Sequence, residues 1–105
     1  MRVLKFIVDG QIIKQDPNCD FENIVSGTEG YLKAEFSFSP EWNNTSKVVG
    51  FWSKGKECTP QALKDGKSCT VPAEALLGRA FKIWVIGRNN KMNLVTNKVV
   101  VNQRG

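Results

Sequence analysis

The chain has 105 residues, 41% of them apolar, with three Trp, six Phe, no His and a formal net charge of +5. That length builds one core and is too short for two, so a single domain spanning residues 1–105 is expected, and the aromatic content argues against intrinsic disorder. No apolar run approaches the roughly 20 residues needed to cross a bilayer, so membrane insertion is not expected. The start, Met1 to Gly10, lacks a long apolar stretch followed by a small-residue cleavage site, which points to a protein finished in the cytoplasm. Lys and Arg are scattered along the sequence and not bunched in one block, the pattern of a solvated sheet surface more than of a nucleic-acid groove.

Val3 to Val8 is rich in β-branched and aromatic residues, Asp9-Gly10 is a hairpin signal, and Gln11 to Lys14 resumes an extended pattern. A strict two-residue Asp9-Gly10 turn would set Lys5 opposite Lys14, an unfavourable pair, so a longer or bulged loop is the alternative. Asp16 to Gly30 is polar, broken by Pro17, Asn18, Gly27 and Gly30, and reads as a loop holding one short strand at Ile24-Val25.

The centre of the pattern is Tyr31 to Trp42. Leu32, Ala34, Phe36 and Phe38 fall at every second position and face inward, while Tyr31, Lys33, Glu35, Ser37 and Ser39 face water. Pro40 ends the ladder because it has no amide hydrogen, and Trp42 follows where an indole can fold over the open end of a core. After a turn at Asn43 to Ser46, Lys47 to Ser53 is a strand with Val49 and Phe51 on one face and Val48, Gly50 and Trp52 on the other.

Lys54 to Lys56 turns the chain. A weak strand at Gln61 to Leu63, the Asp65-Gly66 turn and a strand at Ser68 to Val71 read as a second hairpin, with Ala62 opposite Cys69. Pro72 to Gly78 starts with Pro and ends with Gly, the signature of one short helix. Arg79 to Gly87 is a long strand with Phe81, Ile83 and Val85 on the inner face and Lys82, Trp84 and Ile86 on the outer. A turn at Asn89 to Lys91 leads to a last strand, Met92 to Val101, broken or bent near Asn97. About seven short strands with turns between them and little helix describe an all-β antiparallel sandwich of two sheets.

The absence of His removes the commonest general base and metal ligand, and the acids lie at turns or on wet strand faces. Cys19, Cys58 and Cys69 are odd in number, without metal-type spacing, and the hairpin register sets Cys58 and Cys69 apart, so free thiols are expected. The expectation is therefore a protein that is not an enzyme, with no catalytic residues, metal or cofactor. What remains is binding. Trp84 and Trp52, with Lys82 and Ile86, stand on faces opposite the core residues and form a candidate interface in which Trp84 would be the anchor. The alternative is structural, since a one-residue bulge would turn either indole inward.

The order of features resembles the small immunoglobulin-like N-terminal domain of upper baseplate proteins of tailed phages of Gram-positive hosts. The residues that carry the resemblance are Gly30-Tyr31-Leu32 leading into Ala34, Phe36, Phe38 and Trp42; Cys69-Thr70-Val71-Pro72 with Leu76-Leu77; Phe81, Ile83, Val85 and Gly87; and Thr96-Asn97 before Val99 and Val101. The resemblance implies an immunoglobulin-like sandwich and a structural virion module of the tail, partnered with tail or baseplate proteins or with itself. A relative put to another use, such as a phage protein that blocks a host factor, or a basic nucleic-acid-binding domain, are the alternatives.

Overall fold

The computed structural model describes residues 1–104. Ten strands follow one another: β1 (Arg2–Asp9), β2 (Ile12–Gln15), β3 (Leu32–Phe38), β4 (Ser46–Ser53), β5 (Lys56–Glu57), β6 (Gln61–Ala62), β7 (Ser68–Thr70), β8 (Ala80–Arg88), β9 (Asn93–Val95) and β10 (Val99–Asn102). They form two sheets, ordered β2-β1-β3-β7 and β10-β8-β4-β5, with β6 also on β4 and β9 also on β8. The all-β, two-sheet reading holds. The short helix expected at Pro72 to Gly78 is a single 3₁₀ turn, Ala73–Leu76, and a second 3₁₀ turn, Pro40–Trp42, sits where Pro40 ends β3.

The pairing is not antiparallel throughout. β1 and β3 run parallel, with Leu4 beside Ala34, Phe6 beside Phe36 and Val8 beside Phe38. Parallel neighbours need a long crossover, and the stretch between β2 and β3 supplies one without a helix. That crossover is held by Asx turns at Asp16 and Asp20 and by the Arg2 guanidinium, which donates to the carbonyls of Asp20, Glu22 and Asn23. Within it Ile24 is buried, and Val25 makes a lone parallel bridge to Arg104.

The first hairpin resolves its own charge conflict by register. Asp9 pairs with Ile12, so the two-residue turn is Gly10-Gln11, and Gly10 takes φ +58°, as the first central residue of a type II′ turn requires. Lys14 now opposes Ile7, and Lys5 lies across from Glu35, 4.0 Å from its carboxylate.

The expected hairpin about Asp65-Gly66 is overturned. β6 pairs with β4 and β7 pairs with β3, so this turn carries the chain from one sheet to the other. Leu63 is buried and donates its N–H to Lys47 of the second sheet, while the Lys67 carbonyl already accepts from Phe36 of the first. The Asp65 carboxylate fixes the crossing by accepting from the N–H groups of Lys67 and Ser68 and from the Ser68 hydroxyl. The Ser68 and Lys67 donors hold its carboxyl well below the usual range.

The core fills the space between the sheets. Leu4, Phe6, Val8, Leu32, Ala34 and Phe36 meet Val49, Phe51, Phe81, Ile83, Val85 and Val101. Phe38, read as an inward residue, is only half-buried, because it lies at the end of the strand under Lys47, whose Nζ is 5.2 Å from the ring centroid. Aromatic rings run along the inner face of the first sheet from Phe21 through Phe6, Phe36 and Phe38 to Trp42, at centroid spacings of 5.4, 5.4, 5.9 and 5.3 Å. Trp42 closes that end as expected. It is fully buried, donates its indole N–H to the Gly10 carbonyl at 2.7 Å, and lies so close to Gly87 that a Cβ there would be 2.6 Å from its ring.

The last strand is broken as its sequence indicated. β9 and β10 both pair with β8, and Thr96 and Asn97 fall between them. Thr96 is buried and its hydroxyl accepts the Val85 N–H, standing in for a missing backbone acceptor. Asn97 reaches the other sheet, accepting from the Ile13 N–H at 2.7 Å and donating to the Ile13 carbonyl at 3.3 Å. A side-chain amide thus pairs with β2 as a strand residue would, and curls the two sheets together along that margin.

Candidate functional site

The candidate interface residues all project from the outer face of the second sheet. Cross-strand partners in an antiparallel pair share a face. The register therefore places Ala62, Val48, Ile86 and Val95 in one row across β6, β4, β8 and β9. Gly50 and Trp84 form the next row, and Glu57, Trp52, Lys82 and Val100 the third, across β5, β4, β8 and β10. Trp84, Trp52, Lys82 and Ile86 are thereby brought onto one surface, as the alternation in β4 and β8 indicated.

Their exposures differ. Lys82 is exposed, while Trp52 and Ile86 are half-buried. Trp84 retains only 8% of its surface, although it projects away from the core and forms no part of the core cluster. The cause is Gly50, directly opposite. Its missing side chain leaves room for the indole to lie flat on the β4 backbone, where a Cβ would come within 2.2 Å of Cε2. From above, the Lys98 ammonium sits 4.7 Å from the ring centroid, a cation–π contact. The indole is therefore neither turned into the core by a bulge nor freely exposed. It is a flat layer of the outer face.

A groove of about 210 Å³ runs beside it, lined by Val48, Gly50, Glu57, Cys58, Pro60 and Ile86 among others. Cys58 is buried at its floor, with the thiol pushed up in pKa by desolvation and then by Glu74. Glu74 itself is held down by the Thr59 hydroxyl and N–H. Val95 and Val100 extend the apolar surface and remain 42% and 48% exposed. Lys82, Lys98 and Arg88 rim the patch as exposed cations and Glu57 as an exposed acid.

Val48, Ala62, Val95, Val100, Lys98 and Gly50 belong to this face beside the residues singled out from sequence. The alternation in β4 already set Val48 and Gly50 with Trp52. Nothing local marked Val95, Val100 or Lys98, because β9 and β10 reach the face only by pairing with β8 and Lys98 lies in the break between them.

A more voluminous hollow, about 460 Å³, lies elsewhere, against Gln15, Phe21, Glu22, Asn23, Asn102, Gln103 and Arg104. Among its polar groups Asn23 holds the crossover loop, accepting from both Arg2 and Arg104, whereas the buried Gln103 Oε1 has no hydrogen-bond partner among the described residues. Among the described residues no three acids or thiols gather in the manner of a metal site, and no helix is long and apolar enough to cross a membrane. All three cysteines are free thiols, as expected, although Cys58 and Cys69 are separated by lying on different sheets and not by slippage within one hairpin. Comparison with known proteins yields no matching family model, no matching curated protein and no matching solved structure.

Proposed function

We propose that this chain is a non-enzymatic structural or adaptor module of a phage tail or baseplate, acting by protein–protein contact through the outer face of the β4–β8 sheet. The observation that carries the contact reading is the composition of that face. Two indoles, a four-residue aliphatic row and Val100 lie side by side on one sheet surface. Trp84 is nearly covered, under Lys98, whereas Val48, Trp52 and Ile86 are half-buried and Val95 and Val100 are exposed. An apolar patch with a polar rim on a small domain is the usual form of a protein interface. The tail setting rests on the sequence resemblance, which also implies the immunoglobulin-like form of the sandwich.

The test is to mix the purified protein with the tail proteins of its own phage and resolve complexes by size-exclusion chromatography. A stable complex is expected, and Ile86→Asp should weaken it by at least about 2 kcal/mol while leaving the circular dichroism spectrum unchanged, since the core face is untouched. Absence of a complex with any tail protein, or a complex indifferent to Ile86→Asp, would overturn the proposal. A complex formed with a host protein instead would make the chain an inhibitor of that factor.

A further inference from the structure

We infer that the partner seated on this face is an acidic protein surface, with carboxylates set around an apolar centre, and not a second copy of the chain or a nucleic acid. The inference rests on the reading of the outer face as an interface and adds the chemistry of what covers it.

Charge is the first argument. Lys82, Lys98 and Arg88 rim the patch, all exposed, against the exposed acid Glu57 and Glu74 beside the groove's Cys58. Among the described residues the one ion pair within 4.0 Å is Lys5–Glu35, on the first sheet, so none of the three cations on this face has a carboxylate partner among those residues. A partner carrying carboxylates at the rim would meet three unpaired cations, which accelerates encounter and sets orientation. A second copy packed face to face would bring three cations from each copy together with only Glu57 and Glu74 of each to offset them.

Ring geometry is the second argument, and it bears on nucleic acid. Base stacking needs an open aromatic face. Trp84 has one face against Gly50 and the other under Lys98, so neither is open. The row of Ala62, Val48, Ile86 and Val95 on one side is aliphatic, with nothing to stack on or to read a base edge, which leaves the half-buried Trp52 in the row on the other side as the one ring a base could meet. Aliphatic side chains of a protein partner fit that row.

The experiment uses the full chain labelled with ¹⁵N and three probes: a synthetic peptide of alternating valine and leucine flanked by glutamates, its lysine-flanked counterpart, and oligothymidylate. The glutamate-flanked peptide should shift the amides of Ile86 and Val95 and the Trp84 indole resonance. Its affinity should fall at least tenfold in the Lys82→Glu/Lys98→Glu variant, and should fall as salt rises from about 50 to about 300 mM. Both lysines are exposed, so a well-dispersed spectrum of that variant confirms that it folds. The inference is overturned if the glutamate peptide shifts nothing on this face, if charge reversal leaves its affinity unchanged, or if oligothymidylate shifts the same resonances more strongly. It is also overturned if sedimentation shows a dimer that Ile86→Asp dissociates. Should the tail-protein complex depend on Ile86 yet ignore Lys82→Glu/Lys98→Glu, the interface stands and the acidic partner falls.

Discussion

Phe36 shows how much a single alternating position can carry. It is 3% exposed and lies between Phe6 and Phe38 in the aromatic run, so Phe36→Ala removes both transfer energy and the contacts of two rings. The expected loss is about 3–5 kcal/mol, enough to bring a domain of this size near its unfolding threshold. A urea midpoint shifted no further than that of the surface variant Lys33→Ala would show that the ring is not packed. Gly50 is the complementary case, a residue whose contribution is the absence of an atom. Gly50→Ala drives a Cβ into the Trp84 ring, so the indole should rotate off the strand. The expected signature is red-shifted tryptophan emission with a stability loss of about 1–3 kcal/mol. Unchanged emission would mean that the indole does not rest on Gly50.

Among the elements, the break between β9 and β10 has the widest structural effect. A continuous strand would have stayed on β8, whereas the interruption frees Asn97 to pair with both backbone groups of Ile13 and joins the edge of one sheet to the margin of the other. Gln15 adds a second tie on the same side, donating from Nε2 to the Val100 carbonyl at 3.3 Å. Asn97→Ala removes the partners of both the Ile13 N–H and the Ile13 carbonyl, and should cost about 1–3 kcal/mol. Native-state hydrogen exchange at Ile13 should accelerate while that of Phe51, in the middle of β4, changes only by the global loss. Equal acceleration at both positions would deny the local clamp. The Asp65-Gly66 turn is the corresponding tie on the opposite side, and it works by crossing between sheets.

At the scale of the whole molecule, the two outer faces contrast. The first sheet sets Val3, Ile7 and Ile12 among Lys5, Lys14, Lys33 and Glu35, whereas the second gathers indoles and a continuous aliphatic row rimmed by cations that have no carboxylate partner among the described residues. That contrast makes the second sheet the one to expect in contact with a partner. The Cys69 thiol, on β7, reports on folding through its ionisation. Burial, and then the neighbouring Asp65, push Cys69 up to about 12 from the ordinary 9.0, so the unfolded thiol ionises first. Its contribution to stability is intact below pH 9.0 and is lost as the pH rises toward about 12. The difference in urea midpoint between wild type and Cys69→Ala should therefore shrink from about pH 8 to about pH 10. A difference independent of pH would mean that the thiol ionises alike in both states.

The sequence by itself determined which residues face inward and where the chain turns. Alternation in Leu32 to Phe36, Val49 to Phe51 and Phe81 to Val85 is enforced by the two-residue period of a strand, and Pro40, Gly66 and Gly78 mark breaks because backbone chemistry is local. The same period placed Trp52, Trp84, Lys82 and Ile86 on one outer surface. Tertiary structure alone decided which strand lies beside which. Whether Asp65-Gly66 joins paired strands or passes between sheets, and whether β1 meets β3 parallel or antiparallel, depends on contacts between residues distant in the chain, to which a local pattern is blind. The final shape of the candidate site was decided there too. Trp84 lies flat and nearly covered because Gly50 is its cross-strand neighbour and Lys98 arrives above it from beyond a break in the last strand, and no periodicity in any one segment encodes that meeting.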